Sequence, residues 1–304
     1  MEEYHEEYQY LNLLRKVYNN GNLKPNRTNQ KTKSVFGEIM KFSLTRIEDG
    51  KLLNVLPLIT TKFTSYKTIL LELFFFISGK TDNKVLQNNN VHIWDQNTND
   101  FKKRKESNGQ HIVEGDLGPI YPFQYRHFGA DYIDCNTDYT NKGIDQLEKA
   151  IQTLKNNPFD RRIIVTAWNP IQLNEMALPP CHTLYQFNVE ADENMNPKYL
   201  NCLVYQRSAD LPLGLPFNIA SYATLTHIVA QLTNLTPNIL TFMIGDAHIY
   251  ENQLELVPIQ LERKPFKFPT IEIEKCEKID NYDISKIKLY NYNHHPHIKY
   301  PFTS

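Results

Sequence analysis

Cys181 stands in the run Leu178-Pro179-Pro180-Cys181-His182, where two prolines stiffen the chain just before a sulfur and a histidine follows it. Taken alone, a cysteine is more often a small buried hydrophobe than a nucleophile. The run Tyr205-Gln206-Arg207-Ser208-Ala209-Asp210 changes the weighing, because it brings together an arginine, a hydroxyl and a carboxylate. A guanidinium beside a thiol lowers its pKa and makes the reactive thiolate. Spacing along the chain does not say whether Arg207 reaches Cys181. Glu72 is the other conspicuous group, a carboxylate inside an apolar stretch. Burying it is costly unless it is paired or protonated, and a raised pKa there suits proton shuttling through water. A structural hydrogen bond is the plainer alternative.

These residues need a scaffold, and the periodicities supply one. Leu11, Leu14 and Val17 recur at helical spacing before Gly21, which predicts a helix over Glu2 to Asn19. Met40, Phe42 and Leu44 alternate up to Asp49-Gly50, the mark of a strand and a hairpin. Tyr66 to Ser78 is apolar on nearly every side, as a central helix would be, whereas Asn88 to Gly118 reads as polar and irregular. A helix is expected over Asp145 to Asn156, then strands at Ile163 to Trp168, Thr183 to Val189 and Leu200 to Gln206. Pro216 opens a long helix with Ile219, Tyr222, Leu225, Val229 and Leu232 on one face; a strand (Ile239 to Ile244), a helix (Ile249 to Leu261) and a strand at Ile271 and Ile273 follow. The expected fold is a single α+β domain, residues 1–304, on a mixed sheet flanked by helices. No Gly-rich phosphate loop follows a strand.

With 304 residues, 41% hydrophobic, the chain can build a substantial core. Its net charge of −1 creates no global field to draw it onto nucleic acid or an anionic membrane, so an anionic ligand needs a local basic cluster. The longest apolar run, Ile69 to Ser78, is about half a membrane span. The acidic start, Met1 to Glu7, is unlike a secretory signal, which places the protein in the cytoplasm. Cys135, Cys181, Cys202 and Cys276 form no Cys-x-x-Cys pair and are expected as reduced thiols. His294-His295-Pro296-His297 lacks a second ligand cluster, so no metal site is expected and the segment reads as a surface tail.

The ordered set Arg161-Arg162, Ala167-Trp168-Asn169-Pro170, Met176 to His182, Gln186-Phe187, Tyr205 to Asp210, Leu213 to Ala220 and Gly245 to Tyr250 resembles the thymidylate synthase family, from Arg27 nearly to the C-terminus. The resemblance implies reductive methylation of dUMP to dTMP, with 5,10-methylenetetrahydrofolate as co-substrate and no metal. Cys181 would add to C6 of the uracil ring and turn C5 into a carbon nucleophile. Tyr121 matches the group that removes the C5 proton. Arg27, Arg207 and the pair Arg161-Arg162 match the phosphate site, where guanidinium groups make forked, charge-assisted bonds, and Ser208 adds a hydroxyl. Without the resemblance, Arg161-Arg162 would pass as a solvated strand entrance.

In this family that pair serves the neighbouring subunit, which implies a homodimer with shared active sites. Asn218 matches the base-reading position: its amide offers both a donor and an acceptor to O4 and N3–H of uracil, although a helix cap is the ordinary role there. His248 and Tyr250 match the deoxyribose contacts, and His182 joins the dUMP set. Ile93, Trp94, Asn97, Asp210, Leu213, Gly214, Phe217 and Lys62 match folate positions; Asp210 can accept from the pterin N–H groups.

Some positions depart from the usual pattern. Asn29-Gln30-Lys31 stands where glycines are common, Phe63 follows Lys62 in place of a second basic residue, Pro122 replaces a glycine, Tyr125 a tryptophan and Gln253 a histidine. The ending Tyr300-Pro301-Phe302-Thr303-Ser304 is unlike the family's apolar one. None removes a reacting group. The rivals are a dUMP or dCMP hydroxymethylase of the same architecture and an inactive homologue kept for binding.

Overall fold

The computed structural model describes residues 5–27 and 30–303. Helix α1 (Glu7–Asn20) buries Tyr10, Leu11, Leu14 and Val17. It starts at Glu7 instead of Glu2, and Met1 to Tyr4 lie outside the described residues. Gly21 does stop it, since a Cβ there would meet the Val17 carbonyl oxygen at 2.5 Å. Strands β1 (Asn22–Lys24), β2 (Thr32–Ser43), β3 (Thr45–Glu48) and β4 (Lys51–Asn54) follow, with Asp49 and Gly50 both at positive φ in the two-residue turn between β3 and β4. Helices α2 (Tyr66–Ile77), α3 (Lys84–Gln87), α4 (Asp95–Ser107), α5 (Tyr121–His127) and α6 (Gln146–Asn156) precede β5 (Ile164–Thr166), β6 (His182–Ala191) and β7 (Pro197–Asp210). Then come α7 (Gly214–Leu232), β8 (Thr236–Tyr250), α8 (Val257–Leu261), β9 (Thr270–Ile273) and β10 (Ile287–Tyr290).

The main sheet runs β1-β2-β8-β7-β6-β5, and β7 and β8 are parallel while the other neighbours are antiparallel. This is the expected mixed α+β architecture. Parallel neighbours need a crossover, and α7 provides it, packed between the sheet and α2. Every residue from Ile219 to Ala230 is therefore buried, not one face alone. The helix also begins two residues before Pro216, which sits in its first turn.

Three other expectations need correction. The polar segment 88–118 contains α4, a helix whose one buried residue is Phe101 and which therefore shows no apolar periodicity. The strand expected over Ile163 to Trp168 is limited to Ile164–Thr166. Strand β8 continues to Tyr250, so no helix begins at Ile249; a 3₁₀ turn (Glu251–Leu256) leads into the short α8.

The sheet's second face also carries exposed apolar residues. Register aligns Ile39, Met243, Tyr205, Leu184 and Thr166 across β2, β8, β7, β6 and β5. Ile39 is 60% exposed, Ile164 44% and Met243 38%. Met40, Phe42, Phe242 and Val204, on the opposite side, are buried in the core.

Candidate active site

Cys181 immediately precedes β6, opposite Arg207 near the end of β7, and the Arg207 N–H donates to the Cys181 carbonyl at 2.8 Å. The prolines do more than stiffen the chain. Their carbonyls accept from the Arg207 guanidinium, Pro180 from Nε at 2.7 Å and Pro179 from Nη2 at 2.9 Å, which leaves Nη2 3.9 Å from Cys181 Sγ. The reach that spacing left open is real. Arg27, exposed beyond β1, also acts on the thiol, and both guanidinium groups pull its pKa down. Burial outweighs them, so the net shift is upward and the resting sulfur is a thiol rather than the expected thiolate.

Tyr121 opens α5 and accepts the Cys181 backbone N–H at its hydroxyl oxygen, 2.6 Å away. Its ring stacks between Phe76 and His182, at 5.0 and 4.1 Å between centroids. Burial raises the phenol pKa well above its ordinary value, so Tyr121 is a neutral hydroxyl beside the nucleophile. His182 is buried, and burial pushes its pKa down to about 3. Glu72, on α2, accepts the Trp94 indole N–H at 2.9 Å; burial pushes its carboxyl up to about 7 and that hydrogen bond pulls it partly back.

A second cluster forms where β7 ends beside β8. Asp210 pairs with His248 in register and accepts from Leu213 N–H at 3.2 Å and from the Gln253 amide at 3.3 and 3.4 Å. Burial raises its pKa against His248, Gln253, Leu213 and Lys62, which all lower it. His248 Nδ1 lies 3.0 Å from Asp246, and the Tyr250 ring meets the imidazole edge-on at 5.1 Å. Tyr250, pushed up to about 12 by burial, feels Asp210, Arg27 and Cys181, so the two clusters border one site.

Leu213, Gly214 and Phe217 are half-buried around the first turn of α7, and Ile93, Trp94 and Asn97 gather at the start of α4. Lys62 is only 2% exposed; its ammonium faces Asp210 and Glu7, and burial lowers its pKa to about 8. Its ammonium therefore faces the protein interior and not open solvent. Asn218 is the fifth residue of α7 and half-buried, whereas the cap position is Leu213, so the ordinary capping role does not apply to it. Ser208 is half-buried on β7 beside Asp246.

Arg161 and Arg162 are not brought to this cluster. Both are exposed just before β5, where Arg162 forms a forked pair with Asp160 at 2.7 and 2.9 Å and holds that carboxyl down to about 2. Asn29, in the substituted loop after Arg27, lies outside the described residues. Sequence reasoning missed the positioning residues: Gln253 was visible only as a departure, and Tyr222 only as an apolar-face residue. Their signal is a fully or nearly buried polar group, which one sequence does not display.

The arrangement combines a posed thiol, cationic groups for an anion, a carboxylate near neutrality and an acceptor for a polar heterocycle. A family model described as thymidylate synthase matches residues 8–304. The chain is 46% identical over 298 residues to a thymidylate synthase of Agaricus bisporus, covering 97% of this chain and 98% of that protein. It is 46% identical over 297 residues to that of Homo sapiens, covering 97% and 90%. It is also 47% identical over 297 residues to a bifunctional dihydrofolate reductase-thymidylate synthase of Zea mays, covering 97% of this chain but 54% of that longer protein. Geometry and likeness agree: the chain belongs to the thymidylate synthase family.

Proposed function

We propose that this chain is a methyltransferase that converts dUMP to dTMP, taking both the carbon and the reducing hydride from 5,10-methylenetetrahydrofolate and releasing dihydrofolate. One observation carries the reading: Cys181 Sγ lies 3.9 Å from the Arg207 guanidinium, with the charge of Arg27 also acting on it.

Cys181 adds to C6 of the uracil ring, and C5 becomes the carbon nucleophile. The thiol must lose its proton on the way, and Glu72, poised near 7, exchanges protons with water at working pH. Tyr121 is too basic as a phenolate to be one at rest, so it takes the C5 proton only while passing its own to water. Arg27 and Arg207, with Ser208, hold the phosphate. Asn218 reads the O4 and N3–H edge, His248 and Tyr250 hold the deoxyribose, and His182 backs the base.

The folate fits the second cluster. Asp210 offers its carboxylate to the pterin N–H groups, and Trp94, Leu213 and Phe217 supply apolar area beside it. Lys62, Ile93, Asn97 and Gly214 complete that wall.

Two copies pair through the apolar second face of the sheet. Ile39, Met243, Tyr205 and Ile164 are the kind of exposed surface that marks an interface, and Arg161-Arg162 lie at its β5 edge, able to serve the partner's phosphate site. Residues 1–304 form one catalytic domain. Among the described residues no helix is long and apolar enough to cross a membrane, and the free thiols suit a reducing cytoplasm. No nucleic acid or metal takes part in this reading. The hydroxymethylase alternative is not favoured, because the matched relatives are named thymidylate synthases. Retention of Cys181 and the guanidinium groups counts against an inactive homologue.

5-Fluoro-dUMP with the folate should trap a covalent complex on Cys181, since fluorine cannot leave C5 as a proton does. Mass spectrometry that found the label on Cys135, Cys202 or Cys276, or undiminished trapping in Cys181→Ser, would overturn the assignment.

A further inference from the structure

His248 sits on β8, in register with Ser34 of β2 and Asp210 of β7, and its side chain is only 9% exposed. Its Nδ1 lies 3.0 Å from Asp246 Oδ1, and the other oxygen of that carboxylate, Oδ2, lies 2.5 Å from Lys24 Nζ at the end of β1. Burial alone would raise the Asp246 pKa, but the hydrogen bonds from His248 and Lys24 outweigh it and hold the carboxyl down to about 2. Asp246 is therefore ionised and can only accept.

A carboxylate that accepts from Nδ1 puts the imidazole hydrogen on that nitrogen. Without Asp246 the choice would be open, because among the described residues Nδ1 has no other partner. Two carboxylates face the ring, Asp246 on its own strand and Asp210 on β7, and each is met by an ammonium, Lys24 for the first and Lys62 for the second. Arg27 adds positive charge on the Tyr250 side. With the negative charges already countered, nothing calls for a second proton on the imidazole, which stays neutral in weakly alkaline solution. Its Nε2 is then a bare lone pair. That nitrogen has no partner among the described residues and is not among the buried atoms sealed from solvent, so the lone pair opens to the site.

We propose that Asp246, held by Lys24, is a positioning residue that fixes His248 as the Nδ1–H tautomer, so that Nε2 accepts the hydrogen of the substrate's sugar hydroxyl. The sugar end of the site then demands a donor. A hydroxyl satisfies it, whereas a fluorine at the same place sets lone pair against lone pair. The tautomer assignment stands on protein geometry alone; its consequence for substrate choice rests on the dUMP reading above.

The test uses the full-length enzyme labelled with ¹⁵N-histidine at about pH 8, where an imidazole is ordinarily neutral. Long-range ¹H–¹⁵N correlation spectra report the tautomer of His248, assigned by its loss in His248→Gln. Wild type should show Nδ1–H. In Asp246→Asn the Lys24 ammonium can still only donate, so the amide oxygen turns to Lys24 and the amide N–H₂ turns to Nδ1, which moves the imidazole hydrogen to Nε2. Adding Lys24→Met frees the amide to rotate, and the tautomer should return towards Nδ1–H. In kcat/KM, wild type should prefer dUMP over its 3′-fluoro analogue, in which fluorine replaces the sugar hydroxyl, by about tenfold or more. Asp246→Asn should narrow that preference several-fold, because Nε2–H can face the fluorine, whereas a merely structural loss would lower both substrates alike. An imidazolium or Nε2–H in wild type, Nδ1–H in a folded Asp246→Asn protein, or an unchanged preference would overturn the proposal, and a double variant that keeps Nε2–H would overturn the part given to Lys24. If Asp246→Asn does not fold, the wild-type spectrum still decides the tautomer. A wild-type enzyme with no activity on dUMP would instead overturn the reading of the site and leave the tautomer assignment intact.

Discussion

The Trp94 indole N–H donates to the Glu72 carboxylate at 2.9 Å, which joins into one unit two side chains that the sequence assigns to different tasks, pterin contact and proton transfer. The hydrogen bond favours the ionised carboxylate and opposes the burial that raises it to about 7. Trp94→Phe keeps an aromatic wall but removes the donor. The Glu72 pKa should rise further, and the acidic limb of the kcat pH profile should move to higher pH. A profile that keeps its position, in a variant that still binds folate, would separate Glu72 from the proton transfer that limits turnover.

Gln253 donates to both Asp210 oxygens and to the Pro301 carbonyl at 3.2 Å. Gln253→Leu leaves the carboxylate short of a partner. Losing a hydrogen bond to a charged group costs about 1.5–3 kcal/mol, or roughly one to two decades. The KM for the folate should rise by about that factor while dUMP binding, measured by calorimetry, stays near its wild-type value. A matching loss in dUMP affinity would show that Gln253 supports the whole pocket and not the Asp210 end alone.

Arg161 and Arg162 are exposed, and within one chain the guanidinium beside Cys181 is that of Arg207. If they serve the partner, inactive Cys181→Ala and inactive Arg161→Glu proteins should complement each other after subunit exchange. Half of a randomly mixed population is hybrid, and each hybrid dimer has one complete site, so recovery should approach about a quarter of wild-type activity. Proven exchange without recovered activity excludes the shared site.

His227 and His182 are buried with pKa values pushed down by burial, to about 4 and about 3, and His227 donates its Nε2–H to the Val55 carbonyl, 2.9 Å away. Released by unfolding, each returns to about 6.5. The unfolded chain then binds more protons between roughly pH 6.5 and 4, so stability rises with pH across that window and is lost on acidification. The slope should reach about 1.4 kcal/mol per pH unit for each histidine. Urea unfolding at fixed protein concentration from pH 7 to 4.5 measures it, and His227→Gln should flatten the curve. Equal slopes in both proteins would assign the acid sensitivity elsewhere.

Much of the site was legible in the linear chain because its chemistry is carried by local runs. The prolines before Cys181, the arginine and carboxylate of the run from Tyr205 to Asp210, and the glutamate inside α2 all announce themselves by residue type and neighbours. The central helices and the Asp49-Gly50 hairpin were equally plain, since apolar periodicity and turn chemistry are short-range signals. Helix α4 escaped because its stability does not come from an apolar face, and β8 ran past its expected end because pairing with β2 and β7 carries the strand onward. Only the folded chain decided the charge states. Whether Cys181 rests as thiol or thiolate depends on burial set against guanidinium groups from distant segments, and the Glu72 carboxyl near 7 depends on what surrounds it. Tyr125, Tyr222 and His182 likewise come within hydrogen-bond distance of one another because three separate elements meet there. Sequence determined which groups were present; desolvation and partner geometry, which act through space, determined what each of them can do.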